Sequence, residues 1–318
     1  MTSSVFGTLP DGRPVRRVAI GAAPGPALEL LDLGATVHRL EVADGRGGRC
    51  DIAVGLPSPA DYLATQEHVG GVIGRYANRI AHGRLVLDGR EVRLLTNDGD
   101  HHLHGGPDGF DRRVWELVDH GPTFAELGLS SPDGDQGFPG ALRATARYQV
   151  DDHRVTVILG AVADATTVVN LTSHAYFDLG ADQELTVPAE RYLPTDDAGI
   201  PVGGPVPVTG TPYDLRGRRR ITDLSLDHNF VVEGSGLRTV AVLASPARDL
   251  ALEVRSDQPG LQVYTDSELG GVALEPQRFP DTPNRPDFPT SVLRPGEAYR
   301  SEIQWVFGGY DGPATLRA

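Results

Sequence analysis

"LRATARYQVDDHRVTVILGAV", residues 142–162, holds two runs of alternating apolar and polar side chains that meet at Asp151-Asp152. Period-two alternation marks a half-buried strand, and acidic residues between two such runs mark a turn. The stretch predicts an antiparallel hairpin. "GRLVLDGREVRLL" (83–95) repeats the pattern around Asp88-Gly89, a dipeptide suited to a tight type I′ turn. "FVVEG", "TVAVLAS", "LALEVRS" and "GLQVYTD" continue it between 230 and 266, and "SEIQWVF" (301–307) is expected to be the last strand. Helical periodicity is nearly absent. One short helix is expected in "SPADYLATQ" (58–66), with Ser58 as N-cap and Pro59 at the first helical position. Proline-rich patches at 201–212 and 280–289 read as ordered loops, because proline cannot donate to a strand ladder. No repeat and no linker interrupts the chain. The expectation is an all-β fold: one large antiparallel β-sandwich of two broad sheets, forming a single domain over 1–318.

Composition agrees. The chain has 318 residues, 39% of them hydrophobic, enough for a large core. Its 39 glycines and 25 prolines exceed the usual combined share of about 12%, and they fall singly between apolar runs, as turns do. A formal net charge of −14 repels phosphate backbones and anionic bilayers, so neither nucleic acid nor a membrane is an expected partner. The lone Cys50 excludes an internal disulfide and fits a reducing compartment. "MTSSVFGTLPDGRPVRR" at the start lacks the apolar core of a signal peptide. The most apolar run, "VTVILGAVA" (155–163), is far short of the roughly 20 residues that span a bilayer. A soluble cytoplasmic protein is expected.

The common chemical motifs are missing. There is no phosphate-binding G-x-x-x-x-G-K-[ST], no dinucleotide G-x-G-x-x-G, no H-E-x-x-H and no G-x-S-x-G. What remains is scattered. "HHLHGG" (101–106) carries His101, His102 and His104, too close together to converge on a metal from one strand; alternation places His102 and His104 on one face. "GRYANRIAHG" (74–83) carries Arg75, Asn78 and Arg79; the Arg79 guanidinium suits paired hydroxyls or a carboxylate, or else a surface ion pair. "LDHNF" (226–230) offers Asp227, or simply a turn, and "GLQVYTDSELGG" places Gln262 and Tyr264 on one strand face. His174 sits in "NLTSHAYFDLG", and Glu275 lies in an apolar approach, "GVALEPQRFPDTPN".

As an ordered set these stretches are specific. "GRYANRI", "LHGG", "SPDGDQGFPG", "NLTSHAYFDLG", "DHNF", "PGLQVYT", "LEPQRFPDTPN" and "FPTSVLRPGEAY" resemble, in order, the motifs of the aldose 1-epimerase (galactose mutarotase) family, from about Phe6 to Phe307. The resemblance implies a β-supersandwich and interconversion of hexose anomers without a cofactor; no metal is expected either, because proton transfer alone drives such a reaction and the histidine trio has poor ligand spacing. It implies that His174 is the general acid and Glu275 the general base. It further implies that Asn78, Arg79, His104, Asp227 and Gln262 bind the sugar, with Tyr176 lining the same pocket. The sequence departs from the family where "TDSELGG" replaces the usual T-G-N with its longer loop, and where "LEPQ" replaces L-E-T-Q; both bear on substrate identity more than on reaction class.

The chemistry is consistent with those residue types. Mutarotation removes a proton from the anomeric hydroxyl and gives one to the ring oxygen, so one acid and one base suffice and no nucleophile is needed. The reaction calls for an ionised Glu275 and a protonated His174, with Tyr264 or Phe279 stacking on the apolar face of the ring. The expected partner is a small-molecule sugar, met by a monomer or a homodimer. The competing readings are a sugar-binding module without activity and a glycoside hydrolase or lyase, in which Asp227 and Glu275 would straddle the scissile bond.

Overall fold

The structure, a computed structural model, describes residues 3–311. The hairpin of 142–162 lies at its centre. Strands Leu142–Asp151 and Arg154–Ala163 pair antiparallel in unbroken register, from Leu142–Ala163 to Asp151–Arg154. The turn is therefore Asp152-His153, one residue later than the sequence suggested. Asp151 stays in the ladder because its carboxylate accepts from the Arg154 guanidinium Nε at 2.9 Å. Alternation holds through both strands. Ala144, Ala146, Tyr148, Val155, Val157 and Leu159 all enter the main core.

Around this hairpin runs a nine-stranded antiparallel sheet. Its order is Glu116–Gly121, Phe124–Ser131, the two hairpin strands, Tyr299–Gly308, Leu250–Ser256, Arg238–Ser245, Glu184–Thr186 and Arg219–Arg220. The opposing layer is not a second broad sheet. It consists of a five-stranded sheet, Ser3–Thr8 through Arg49–Asp51, and a six-stranded sheet. The latter is ordered Tyr176–Phe177, Val272–Gln277, Gly260–Tyr264, Asp227–Val231, Arg191–Leu193, Val206–Pro207. A single bridge, Ala53 to Phe177, joins the two. Both face the nine-stranded sheet. Tyr148 donates its hydroxyl to the Ala35 carbonyl at 2.8 Å, and the Phe177 and Trp305 rings meet edge-on at 5.2 Å. Aromatic pairs of this geometry add to the area they bury.

The smaller expectations hold. Arg84–Leu87 and Arg90–Arg93 form a hairpin whose turn residues, Asp88 and Gly89, have φ of 49° and 77°, as a type I′ turn requires. The helix Pro59–Ala64 is capped by Ser58, with Pro59 in its first turn. Among the described residues no helix is long and apolar enough to cross a membrane.

Candidate active site

The six-stranded sheet carries a polar row across an apolar surface. Asn229 faces Gln262 and Gln262 faces Glu275 in the ladders of three adjacent strands. On Val272–Gln277, Val272 and Leu274 enter the core while Glu275 turns to the opposite face, buried at 1% exposure. "HAYF" alternates in the same way: Ala175 and Phe177 pack into the core, and His174 and Tyr176 line a pocket. That pocket, of about 170 Å³, is closed by Asn78, Arg79, His104, Asp227, Gln262, Tyr264 and Glu275, and rimmed by Gln66, Glu67 and His68. The eight residues that the family resemblance assigned to the site therefore line one pocket, although they are spread from 78 to 275.

Their positions are set by the motifs that contain them. Asn170, at the head of "NLTSH", donates to the Ala77 carbonyl at 3.0 Å and accepts from the Arg278 N–H at 2.9 Å. Thr172 donates to the Pro276 carbonyl at 2.8 Å. One short stretch thus ties together the chain before Asn78, the chain around Glu275 and His174 itself. Asn78 and His104 adopt left-handed backbone, φ 64° and 50°, an uncommon conformation that is concentrated at functional sites. The Asn78 N–H donates to His104 Nδ1 at 3.2 Å. Asn78 Oδ1 accepts from the Arg79 N–H at 2.8 Å. Arg79 is held by Asp98, 2.8 Å from its Nε, and approaches Asp227 at 3.9 Å. Gln262 donates to Asp227 at 2.6 Å and accepts from Asn229 at 3.2 Å.

At the floor, His174 Nε2 lies 3.5 Å from Glu275 Oε1. His174 Nδ1 and Glu275 Oε2 are buried and make no hydrogen bond among the described residues. Burial decides the charge of this pair. It pushes Glu275 well above the usual carboxylate range, with repulsion from Asp227 adding to the effect. It pushes His174 down to about 3, with repulsion from His68 next in size. In the empty pocket burial thus favours the neutral form of each group, against the ion pair that the reaction calls for. The proton count is the same: the pair shares one proton, and a transfer across the 3.5 Å contact converts one form into the other. His104 is likewise held neutral, well below the usual histidine range, by burial and then by His68.

Three groups, His104, His174 and Glu275, bring candidate ligand atoms within 4.8 Å of one another. This trio differs from the His101–His102–His104 run that the sequence argument considered. His104 fits a metal poorly. Its Nδ1 accepts the Asn78 N–H, so the hydrogen of the neutral ring sits on Nε2, and coordination through Nε2 would break that bond.

Other expectations change. His102 does not share a face with His104, because the chain turns left-handed at His104; His102 instead packs against Phe138 with ring centroids 5.1 Å apart. Arg75 is structural: its guanidinium is buried and donates to Ser131 Oγ at 2.6 Å and the Gly140 carbonyl at 2.9 Å. Phe279 lies in a separate cluster with Leu193, Val231 and Phe288, which leaves Tyr264 as the aromatic wall. Sequence reasoning missed Glu67 and His68. Tyr176 places its hydroxyl 3.0 Å from both the backbone oxygen and the carboxylate of Glu67. The only signal was position: "QEHVGG" directly follows the short helix.

The sequence profile of the aldose 1-epimerase family matches residues 17–305. The aldose 1-epimerase of Escherichia coli (strain K12) is 36% identical over 334 aligned positions, covering 94% of this chain and 96% of that protein. The galactose mutarotase of Homo sapiens is 37% identical over 331, with the same coverage of 94% and 96%. The crystal structure of a galactose 1-epimerase from Lactobacillus acidophilus NCFM superimposes with a TM-score of 0.85 at 28% identity, covering 97% of this chain and 98% of that one. An aldose epimerase homologue from C. elegans reaches 0.88, also at 28% identity, covering 92% and 98%. The chain belongs to the aldose 1-epimerase family.

Proposed function

We propose that this protein is an aldose 1-epimerase, an isomerase that interconverts the α and β anomers of free hexoses of the glucose and galactose type. The observation that carries the reading is the His174–Glu275 pair: one acid and one base 3.5 Å apart, buried, on a pocket otherwise lined by hydroxyl-binding groups.

The sugar enters with its hydroxyls against Asn78, Arg79, His104, Asp227 and Gln262. His104 donates through Nε2; Asp227 accepts. The anomeric hydroxyl comes to Glu275 and the ring oxygen to His174. Donors arriving at Glu275 favour its carboxylate, and the proton it gives up passes to His174. The ion pair that burial disfavours in the empty pocket is thus the reactive form. Glu275 then takes the anomeric proton while His174 protonates the ring oxygen, and the C1–ring oxygen bond breaks to give the aldehyde. Rotation about C1–C2 presents the other carbonyl face, and the same transfers in reverse close the ring. Both groups end as they began.

Polarimetry of freshly dissolved α-glucose and α-galactose tests this. Relaxation to the equilibrium rotation should accelerate in proportion to protein added. Tight sugar binding without acceleration would instead indicate a binding module.

A further inference from the structure

The register of the six-stranded sheet divides the pocket floor into two rows. Asn229 pairs with Gln262 and Gln262 with Glu275; Asp227 pairs with Tyr264 and Tyr264 with Ala273. Ala273 pairs in turn with Tyr176. His174, two residues before Tyr176, extends the first row, with Nε2 3.5 Å from Glu275 Oε1. The first row therefore runs Asn229, Gln262, Glu275, His174. The second runs Asp227, Tyr264, Ala273, Tyr176, about 7 Å further along the strands. Asp227 closes one end of the second row, and Glu67 stands at the other. The Tyr176 hydroxyl donates to Glu67, whose backbone oxygen and Oε2 both lie 3.0 Å away. The Glu67 N–H donates to Thr65 Oγ1 at 3.1 Å. The segment is stitched to the acid–base pair: the Gly70 N–H donates to the His174 carbonyl at 3.0 Å, and the His174 N–H to the Gly71 carbonyl at 2.9 Å. Glu67 is half-buried and lines the pocket. Its carboxylate keeps acceptor capacity that one tyrosine hydroxyl does not use.

We propose that Glu67 is a specificity-determining residue that accepts the C6 hydroxyl of the hexose, so that the protein favours sugars with an unmodified hydroxymethyl group. The inference rests on the reaction proposed above, with the anomeric hydroxyl at Glu275 and the ring oxygen at His174. Along the first row the ring oxygen then lies on the His174 side and C2 on the Gln262 side. C5, bonded to the ring oxygen, carries C6 on the side of the strand that holds His174 and Tyr176, and that side ends in Glu67. C2 and C3 go to Gln262 and Asp227. The Arg79 guanidinium is held by Asp98 at 2.8 Å and lies 3.9 Å from Asp227, away from the Glu67 end. The C6 side thus offers an acceptor. A hydroxyl at C6 can donate to it; a methyl group cannot, and a carboxylate or phosphate ester brings acceptors to an acceptor. Because Tyr176 already holds the Glu67 side chain, little ordering is lost when the sugar arrives.

Polarimetry of D-galactose and 6-deoxy-D-galactose tests this. In the wild type kcat/KM should be lower for the 6-deoxy sugar by about tenfold or more, the scale of one hydrogen bond to a carboxylate, and mostly through KM. In Glu67→Ala the ratio should shrink to within about twofold. Each ratio is taken within one protein, so a loss of folded material does not move it. Glu67→Gln keeps an acceptor for Tyr176 and adds an amide donor, so turnover of D-galacturonate relative to D-galactose should rise. A ratio near one in the wild type, or an unchanged ratio in Glu67→Ala, overturns the proposal. Should the wild type accelerate neither sugar, the reaction itself is wrong. Calorimetric titration with the same two sugars then reads the contact separately: an affinity gap that Glu67→Ala removes upholds it, and equal affinities sink it.

Discussion

Burial favours the neutral form of Glu275, and Glu275→Gln keeps nearly the same shape with a neutral amide. The fold and sugar binding should survive. The amide cannot accept the anomeric proton, so kcat should fall by about 10²–10⁴-fold with KM little changed. A stopped-flow polarimetric assay that retained more than about a tenth of the wild-type rate would shift the role of base to Asp227. His174→Asn should lose activity similarly, and the double variant should lose less than the two combined, since both serve one exchange. The pH profile follows from the shared proton. With Glu275 raised and His174 lowered, the singly protonated pair spans the range from about 3 to well above the carboxylate range. The rate of free enzyme should fall on the acid side only as His174 takes a second proton, and on the alkaline side as Glu275 loses the last one.

At the level of elements, the site is a junction held by "NLTSH". Asn170→Ala would leave the Ala77 carbonyl and the Arg278 N–H without their side-chain partner. At about 1–3 kcal/mol for each buried group left unpaired, the variant should lose about 2–6 kcal/mol in urea unfolding. It should also lose kcat, because Asn78 and Glu275 are no longer fixed relative to His174. This junction explains what was legible in the sequence. Strands and hairpins announce themselves by alternation, and the pocket residues by the motifs around them. Phe279 was misplaced because a loop residue carries no period to say which way it faces. The hairpin turn was shifted by one residue because nothing in "DDHR" distinguishes a turn aspartate from one paired with Arg154. His68 went unnoticed because its partner Asp111 is 43 positions away.

For the whole molecule, buried histidines set the response to acid. His102 is fully buried, with Nδ1 2.7 Å from the Leu95 carbonyl and its side chain outside the pocket, and burial pushes it down to about 4 from an ordinary 6.5. The unfolded chain takes up this proton below about 6.5 and the folded chain only near 4. The stability that a neutral His102 provides is therefore complete above 6.5 and is lost as pH falls toward 4. His102→Gln should reduce the slope of unfolding free energy against pH across that window by about 1.4 kcal/mol per pH unit, whatever it does to stability at neutral pH. Urea titrations at several pH values measure it; parallel slopes for the two proteins would contradict the assignment. The opposing layer, two sheets joined by the Ala53–Phe177 bridge, could not be foreseen, because pattern identifies strands but not which of them share a sheet.

The sealed pair at the pocket floor has a further consequence, for solution conditions. Free sugars mutarotate faster in concentrated phosphate or imidazole because dissolved acids and bases shuttle the protons. Here donor and acceptor are built in, and each is restored when the ring closes. The increment of rate due to the protein should therefore be the same in dilute and concentrated buffer at one pH, while the background beneath it climbs.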